Sequence, residues 1–168
     1  MTESTDPLQD QRPEILVRIS RSEDREFVHQ LAVDVFSVYG SYGGYLTQWF
    51  DSEEVSTWIA ETKQEQVGLT MIGIRLHPTL AQRAVADLLA IAVKPSYQTK
   101  GVGTILLNDA IDVAPDLPSP FPIVEMHLSV AETNARAQRL FSRRGFRMIA
   151  GEGVYPAGQR ALHMIKKL

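Results

Sequence analysis

The 168-residue chain contains no cysteine. Disulfides, thiolate metal sites and a cysteine nucleophile are excluded, and such a chain fits a reducing compartment. It also lacks any apolar run near the roughly 18 residues that a membrane-spanning helix needs. It has no basic surplus: the formal net charge is −3, which argues against a general nucleic-acid binder. Met1 to Pro13 is polar and acidic and lacks the apolar centre of a signal peptide. It is expected to be a disordered leader, and the protein is expected to be cytoplasmic. There is no internal repeat and no long low-complexity tract. What remains is the composition of an ordinary globular protein, 44% hydrophobic and 22% charged, which predicts one domain over residues 14–168.

The apolar patterning predicts an alternation of strands and helices. Ile15, Val17 and Ile19 mark a first strand. Ser22 is placed to cap a helix whose apolar face is Phe27, Val28, Leu31, Val35 and Phe36. The segment Tyr39 to Tyr45 holds three glycines and three tyrosines, and Leu46 to Phe50 predicts a short second helix. Val55 to Glu61 and Gln66 to Ile74 read as a hairpin, and Asp87 to Val93 as a central strand. Gly103 to Val113 follows as a helix with Ile105, Leu106 and Ala110 inward. Ala114 to Pro122 carries four prolines and reads as a rigid linker. Ile123 to Val130 is a strand, and Thr133 to Arg144 a helix capped by Thr133 and stopped by Gly145. Two closing strands, Phe146 to Val154 and Ala161 to Leu168, flank Tyr155 to Gly158. The whole predicts an α/β fold with helices on both faces of one mixed sheet of about seven strands.

The segment Val93-Lys94-Pro95-Ser96-Tyr97-Gln98-Thr99-Lys100-Gly101-Val102-Gly103 carries most of the functional information. It joins an apolar strand to a helix start, where backbone N–H groups converge on a phosphate. Leu106 stands where a dinucleotide fingerprint needs its third glycine, and the Walker sequence is absent. The pattern Gln98-x-x-Gly101-x-Gly103 instead resembles the acetyl-CoA loop of the GCN5-related N-acetyltransferase (GNAT) family. Asn134-Ala135-Arg136-Ala137-Gln138-Arg139-Leu140-Phe141-Ser142-Arg143-Arg144-Gly145-Phe146 resembles that family's second signature.

The resemblance covers Asp87 to Phe146 and implies a mostly antiparallel sheet, splayed between its fourth and fifth strands. It implies acetyl-CoA as donor, no metal, and direct transfer of the acetyl group to a primary amine in a ternary complex. It places the cofactor against Ile91, Ala92, Val93, Gln98, Thr99, Lys100, Gly101, Val102, Gly103, Thr104, Asn134 and Phe141. N–H groups of Gln98 to Thr104 would cradle the pyrophosphate. The acceptor is a small-molecule or peptide amine, and neither nucleic acid nor membrane is a partner. A homodimer is compatible, being common in that family. His29, His77 and His163 share no spacing that suggests a metal site, and His127, alternating with core residues, is read as a surface histidine or one facing the site.

Two catalytic positions of the family differ here. Phe141 stands where many relatives carry a tyrosine acid, and Ser129 where one branch carries a glutamate base. Deprotonating an alkyl amine at pH 7 costs about 4–5 kcal/mol, an α-amine only about 1, so a base matters most for the former. Asp87, at the edge of an apolar strand, is a candidate base, and Tyr155 in the last hairpin a candidate acid. Tyr39, Tyr42, Tyr45 and Trp49 are candidates for the acceptor wall, with Gly40, Gly43 and Gly44 allowing that loop to close. Two other readings stay open: a non-catalytic CoA-binding module, and transfer of a longer acyl chain.

Overall fold

The computed structural model describes residues 12–41, 43–149 and 153–168. In chain order the elements are β1 (Leu16–Ile19), α1 (Arg25–Phe36), α2 (Gly43–Phe50), β2 (Val55–Glu61), β3 (Gln66–Leu76) and β4 (Ala84–Val93). There follow α3 (Val102–Val113), β5 (Ile123–Ala131), α4 (Ala135–Arg143), β6 (Arg147–Ile149) and β7 (Ala161–Lys167). The seven strands form one sheet in the order β1-β2-β3-β4-β5-β7-β6. Only β4 and β5 run parallel.

Apolar cores lie on both faces of the sheet. On one, Leu107 and Ala110 of α3 and Phe141 of α4 pack on Ala84, Ala86, Leu88, Met126 and Leu128. On the other, Val28, Leu31 and Ala32 of α1 and Leu46 of α2 pack on Ile59, Leu69, Met71, Ala90 and Ala92. Each fully buried leucine contributes about 1.5–3 kcal/mol relative to exposure.

Alanines 86 and 90 belong to different cores although they are four positions apart, an even step that keeps one face of a regular strand. A β-bulge explains this: Met71 pairs with Ala90 and Ile72 with Leu88, so Leu89 is an extra residue on β4. The bulge exchanges the faces of the strand at its midpoint. Farther along β3, Gly68 lies opposite Val93, where a Cβ would lie 2.7 Å from the Ala92 carbonyl oxygen. The parallel ladder between β4 and β5 ends at Leu88↔Leu128. Beyond that pair the two strands part.

Several expected details shift. Ser22 does not cap α1; it opens a short 3₁₀ turn, Ser22–Asp24. Buried Asp24 accepts the Arg21 N–H at 2.7 Å and binds Arg18 at 2.8 and 2.9 Å. β4 begins three residues before Asp87, because the Ala84 N–H donates to the Pro122 carbonyl at 2.9 Å. Ile105 is 39% exposed; Val102, Leu106, Leu107 and Ala110 form the buried stripe of α3 instead. Asn134, not Thr133, caps α4 by accepting the Ala137 N–H at 3.1 Å. Gly145 ends that segment at φ +86° as expected. The strand expected from Phe146 is short, Arg147–Ile149; residues 150–152 lie outside the described residues, and Val154 forms only an isolated bridge with Arg160.

Candidate active site

The loop after β4 is held by local bonds. The Lys94 N–H donates to the Val67 carbonyl at 2.8 Å, and the Lys94 ammonium is ion-paired with Glu65. The Tyr97 hydroxyl donates to the same carboxylate at 2.9 Å. Lys94 holds the Glu65 carboxyl below its usual range, with Tyr97 assisting. Pro95–Tyr97 forms a 3₁₀ turn. Thr99 and Gly101 then take positive φ, +69° and +84°, a conformation that costs a threonine about 1–2 kcal/mol.

This geometry aims the start of α3. The first intrahelical bond is donated by Ile105 to the Gly101 carbonyl at 3.1 Å. The N–H groups of Val102, Gly103 and Thr104 therefore have no partner within the helix. Together with the helix dipole they suit a phosphate. The Gln98 N–H is not among them, because it bonds the carbonyls of Lys94 and Pro95 at 3.1 and 3.3 Å. The cradle is thus shorter than the Gln98 to Thr104 span expected. The Gln98 side chain donates to the Val93 carbonyl at 3.1 Å and accepts from Arg136 at 3.4 Å, joining the loop to α4.

A cavity of about 570 Å³ opens over this cradle. Ten expected cofactor residues line it: Ile91, Ala92 and Val93; Gln98, Thr99, Gly101, Gly103 and Thr104; and Asn134 and Phe141. Two do not. Lys100 sits over the Tyr97 ring at 5.1 Å, and the Val102 side chain is buried in the core under α3, leaving only its backbone to act. Arg136, Arg139 and Arg143 also line the cavity, bringing positive charge to its rim.

An inner cavity of about 70 Å³ occupies the gap between β4 and β5. It shares Ile91, Asn134, Ala137 and Phe141 with the first cavity, and adds Leu89, Ser129, Tyr39 and Tyr155. The Tyr39 and Tyr155 rings lie 5.0 Å apart. Asn134 reaches the Tyr39 hydroxyl at 3.4 Å, so one side chain both caps α4 and faces this cavity.

An outer cavity of about 380 Å³ lies on the far side and shares Leu88, Leu89, Leu128 and Ser129 with the inner one. It is lined by Trp49, Arg75, Asp87, His127, Ser129 and His163. Arg75 Nε donates to Asp87 at 2.5 Å, and its Nη2 lies 3.1 Å from His127 Nδ1. An arginine only donates, so Nδ1 accepts and Nε2 donates to Glu125 at 2.8 Å. His77 Nδ1 accepts the N–H groups of Thr79 and Leu80, leaving its Nε2 to donate to Glu125 at 3.2 Å. The His127 bond holds the Glu125 carboxyl below its usual range, against burial and with His77 assisting.

This network and the pairing of Ser129 Oγ with His163 Nδ1 at 2.9 Å were not anticipated from sequence. The available signal was the period-2 spacing of Glu125, His127 and Ser129, which places them on one face of β5.

The expected aromatic loop is divided. Tyr45 and Trp49 stack on α2 at 6.2 Å, and Tyr42 lies outside the described residues. Gly40 does not act as a free hinge: at φ +88° it packs so closely that a Cβ would meet Pro156 at 2.9 Å. The Val38 carbonyl accepts from Gln159 at 2.8 Å, and the Tyr39 carbonyl from Ala157 at 3.3 Å. The segment after α1 and the last hairpin are thereby clasped together.

The Acetyltransferase (GNAT) family pattern matches residues 18–146. The "Probable N-acetyltransferase Rv2775" of Mycobacterium tuberculosis is 31% identical over 91 residues, covering 54% of this chain and 46% of that protein. The chain thus spans about half the length of this curated relative. Among solved structures, Arabidopsis thaliana NAA60 in complex with a bisubstrate analogue has a TM-score of 0.76 at 17% identity, covering 92% of this chain and 98% of that one. Spermidine N-acetyltransferase from Vibrio cholerae, in complex with CoA and spermine, has a TM-score of 0.67 at 18% identity, covering 91% and 95%. At these identities the structural likeness speaks for the fold.

Proposed function

The chain belongs to the GNAT acetyltransferase family, and from that premise we propose that it transfers an acetyl group from acetyl-CoA to a primary amine directly, in a ternary complex. The observation that carries this reading is the alignment of three cavities through the sheet. A phosphate cradle lies at one end, a gap between strands in the middle, and a polar chamber at the other. Residues 14–168 act as one domain in this reading, and its setting is the cytoplasm.

The donor supplies an acetyl thioester. The N–H groups of Val102, Gly103 and Thr104 hold its pyrophosphate, with Arg136, Arg139 and Arg143 adding charge at the rim. Past Leu88, the β5-facing edge of β4 is open, so Ile91 to Val93 offer backbone groups to an amide-bearing arm. Asn134 adds a polar anchor there. Phe141, 4% exposed and 5.8 Å from Phe146, serves as an apolar wall. The bulge leaves Leu89 without a ladder partner on β3, beside the place where the carbonyl of the acetyl group would lie. The small size of the inner cavity favours acetyl over longer acyl chains.

Tyr155 borders the inner cavity and is proposed to protonate the leaving thiolate. Asp87, held by Arg75 at the chamber wall, is proposed to draw the cationic amine in, with Trp49 supplying an aromatic surface. Titrating acetyl-CoA by calorimetry and following thiol release with alkyl amines and α-amino peptides tests this reading. Binding together with amine-dependent release supports it. Tight binding without release from any amine supports a non-catalytic CoA-binding module instead.

A further inference from the structure

We propose that the proton acceptor for the amine is His163, reached through the hydroxyl of Ser129. This inference rests on the acetyltransferase reading above and names a relay within that same site.

Ser129 and His163 are direct cross-strand partners on β5 and β7. Their side chains meet, Oγ to Nδ1, at 2.9 Å. Ser129 is the first residue of β5 beyond the last β4–β5 pair. Its side chain is exposed, and it lines both the outer and the inner cavity. An amine moving from the chamber toward the gap therefore passes its hydroxyl. His163 lines the chamber only.

The other ionisable groups of the chamber are committed differently. Asp87 is bound by Arg75, and His127 bridges Arg75 and Glu125 through its two nitrogens. On the side of β6, His163 pairs with Ile149, an apolar residue. Among the described residues, Arg75, Asp87 and His127 are the charged or titratable side chains that share the chamber with His163, which has interactions of its own besides Ser129.

A serine hydroxyl donates and accepts at one atom. In the relay its O–H is donated to Nδ1 of the neutral, Nε2-protonated imidazole, and its lone pair accepts an N–H of the incoming ammonium. In the transfer, one ammonium N–H bond breaks as an O–H bond forms at Ser129. The original Ser129 O–H breaks as an N–H bond forms at His163 Nδ1. The products are a neutral amine and an imidazolium, and charge and protons balance. A neutral serine thereby does the work of a carboxylate base, the charge being stored one residue away.

The test uses the 168-residue chain, acetyl-CoA, and two probe classes: alkyl amines with pKa near 10.4 and α-amino peptides near 8. His163→Gln and Ser129→Ala are expected to lower kcat/KM for the alkyl amine at pH 7 by about 10²-fold, within the usual range for a general base. The loss should be markedly smaller for the α-amine and should diminish toward pH 10. Ser129→Thr, which keeps the hydroxyl, should restore most of the activity. Calorimetric acetyl-CoA affinity should be unchanged in all three. Wild-type rates and pH profile in His163→Gln would overturn the relay. So would loss of acetyl-CoA affinity, which would mark a structural role, or transfer of the pH-dependent loss to Asp87→Asn. If the wild-type chain binds acetyl-CoA but releases no thiol with either amine class, the acetyltransferase reading itself fails, and the relay with it.

Discussion

Leu88 and Leu128 are the last residues paired between the two parallel strands, and both line the outer and inner cavities. One register position therefore marks where the sheet stops and the reaction path begins. The residues immediately after the pair, Leu89 and Ser129, stand on the two sides of that opening.

Gly103 tests the donor side. A Cβ there would lie 3.6 Å from Leu140 and 3.8 Å from Val93, ordinary contacts, so Gly103→Ala should fold normally. The larger Gly103→Val places methyl groups in the cavity above the cradle. It is expected to raise the acetyl-CoA Kd at least tenfold, about 1.4 kcal/mol, with little change in melting temperature. Calorimetry checks the first and thermal unfolding the second.

Tyr155→Phe keeps the ring against Tyr39 and removes the hydroxyl. Stability should be nearly unchanged, while kcat falls by about 10²-fold if the hydroxyl protonates the departing thiolate. Steady-state thiol release, compared with the melting curve, separates these effects.

Asp24→Ala should cost about 1.5–3 kcal/mol, because it removes the acceptor of the Arg21 N–H and the two-pronged partner of Arg18, leaving that half-buried guanidinium with Glu61 alone at 3.0 Å. Arg18 holds the Asp24 carboxyl below its usual range, with the Arg21 N–H assisting and burial opposing. A depressed carboxyl contributes stability above its unfolded pKa and loses it as pH falls through the folded one. The wild-type protein should therefore lose this contribution below about pH 4, and the variant's acid unfolding curve should be correspondingly flatter. Urea titrations between pH 2 and 7 measure both.

Asp109 has the opposite sign. Burial, and then the charge of Asp112, raise its pKa, and its Oδ2 is buried without a hydrogen-bond partner among the described residues. A raised carboxyl favours the fold at low pH, and that advantage is lost as pH rises through the unfolded and then the folded pKa. Asp109→Asn should raise stability at pH 7 by about 0.5–1 kcal/mol. The gain in melting temperature of the variant over wild type should be larger at pH 7 than at pH 4.

The donor side was legible because its physics is local. A phosphate cradle needs a turn, glycine where φ is positive and a helix start, all within Pro95 to Thr104. Periodicity was equally informative for the sheet and its two helical faces. The acceptor side was not legible in the same way. Arg75 and His127 are 52 positions apart, and Ser129 and His163 are 34 apart. Only strand register brings them together: that of β5 against β7 for the second pair, and for the first that of β3 against β4, which is set by a bulge at Leu89 that no residue type announces. Capping shows a smaller version of the same limit. Thr133 and Asn134 are both good caps by chemistry, and backbone geometry chose the second.

The early end of the β4–β5 ladder also bears on how this protein stays out of trouble. An exposed strand edge normally invites pairing with any other chain. Here the unpaired edge of β4 lies in the middle of the sheet, walled by β5, by α4 and by the clasp between Val38 and Gln159. A neighbouring polypeptide cannot lie along it without prising those walls apart. A slim, flexible strand mimic bearing amides can. The fold thus turns a hazard into a lock: apart from the Val93 carbonyl, which the Gln98 side chain reaches at 3.1 Å, the opened edge is kept from other chains by its own two halves.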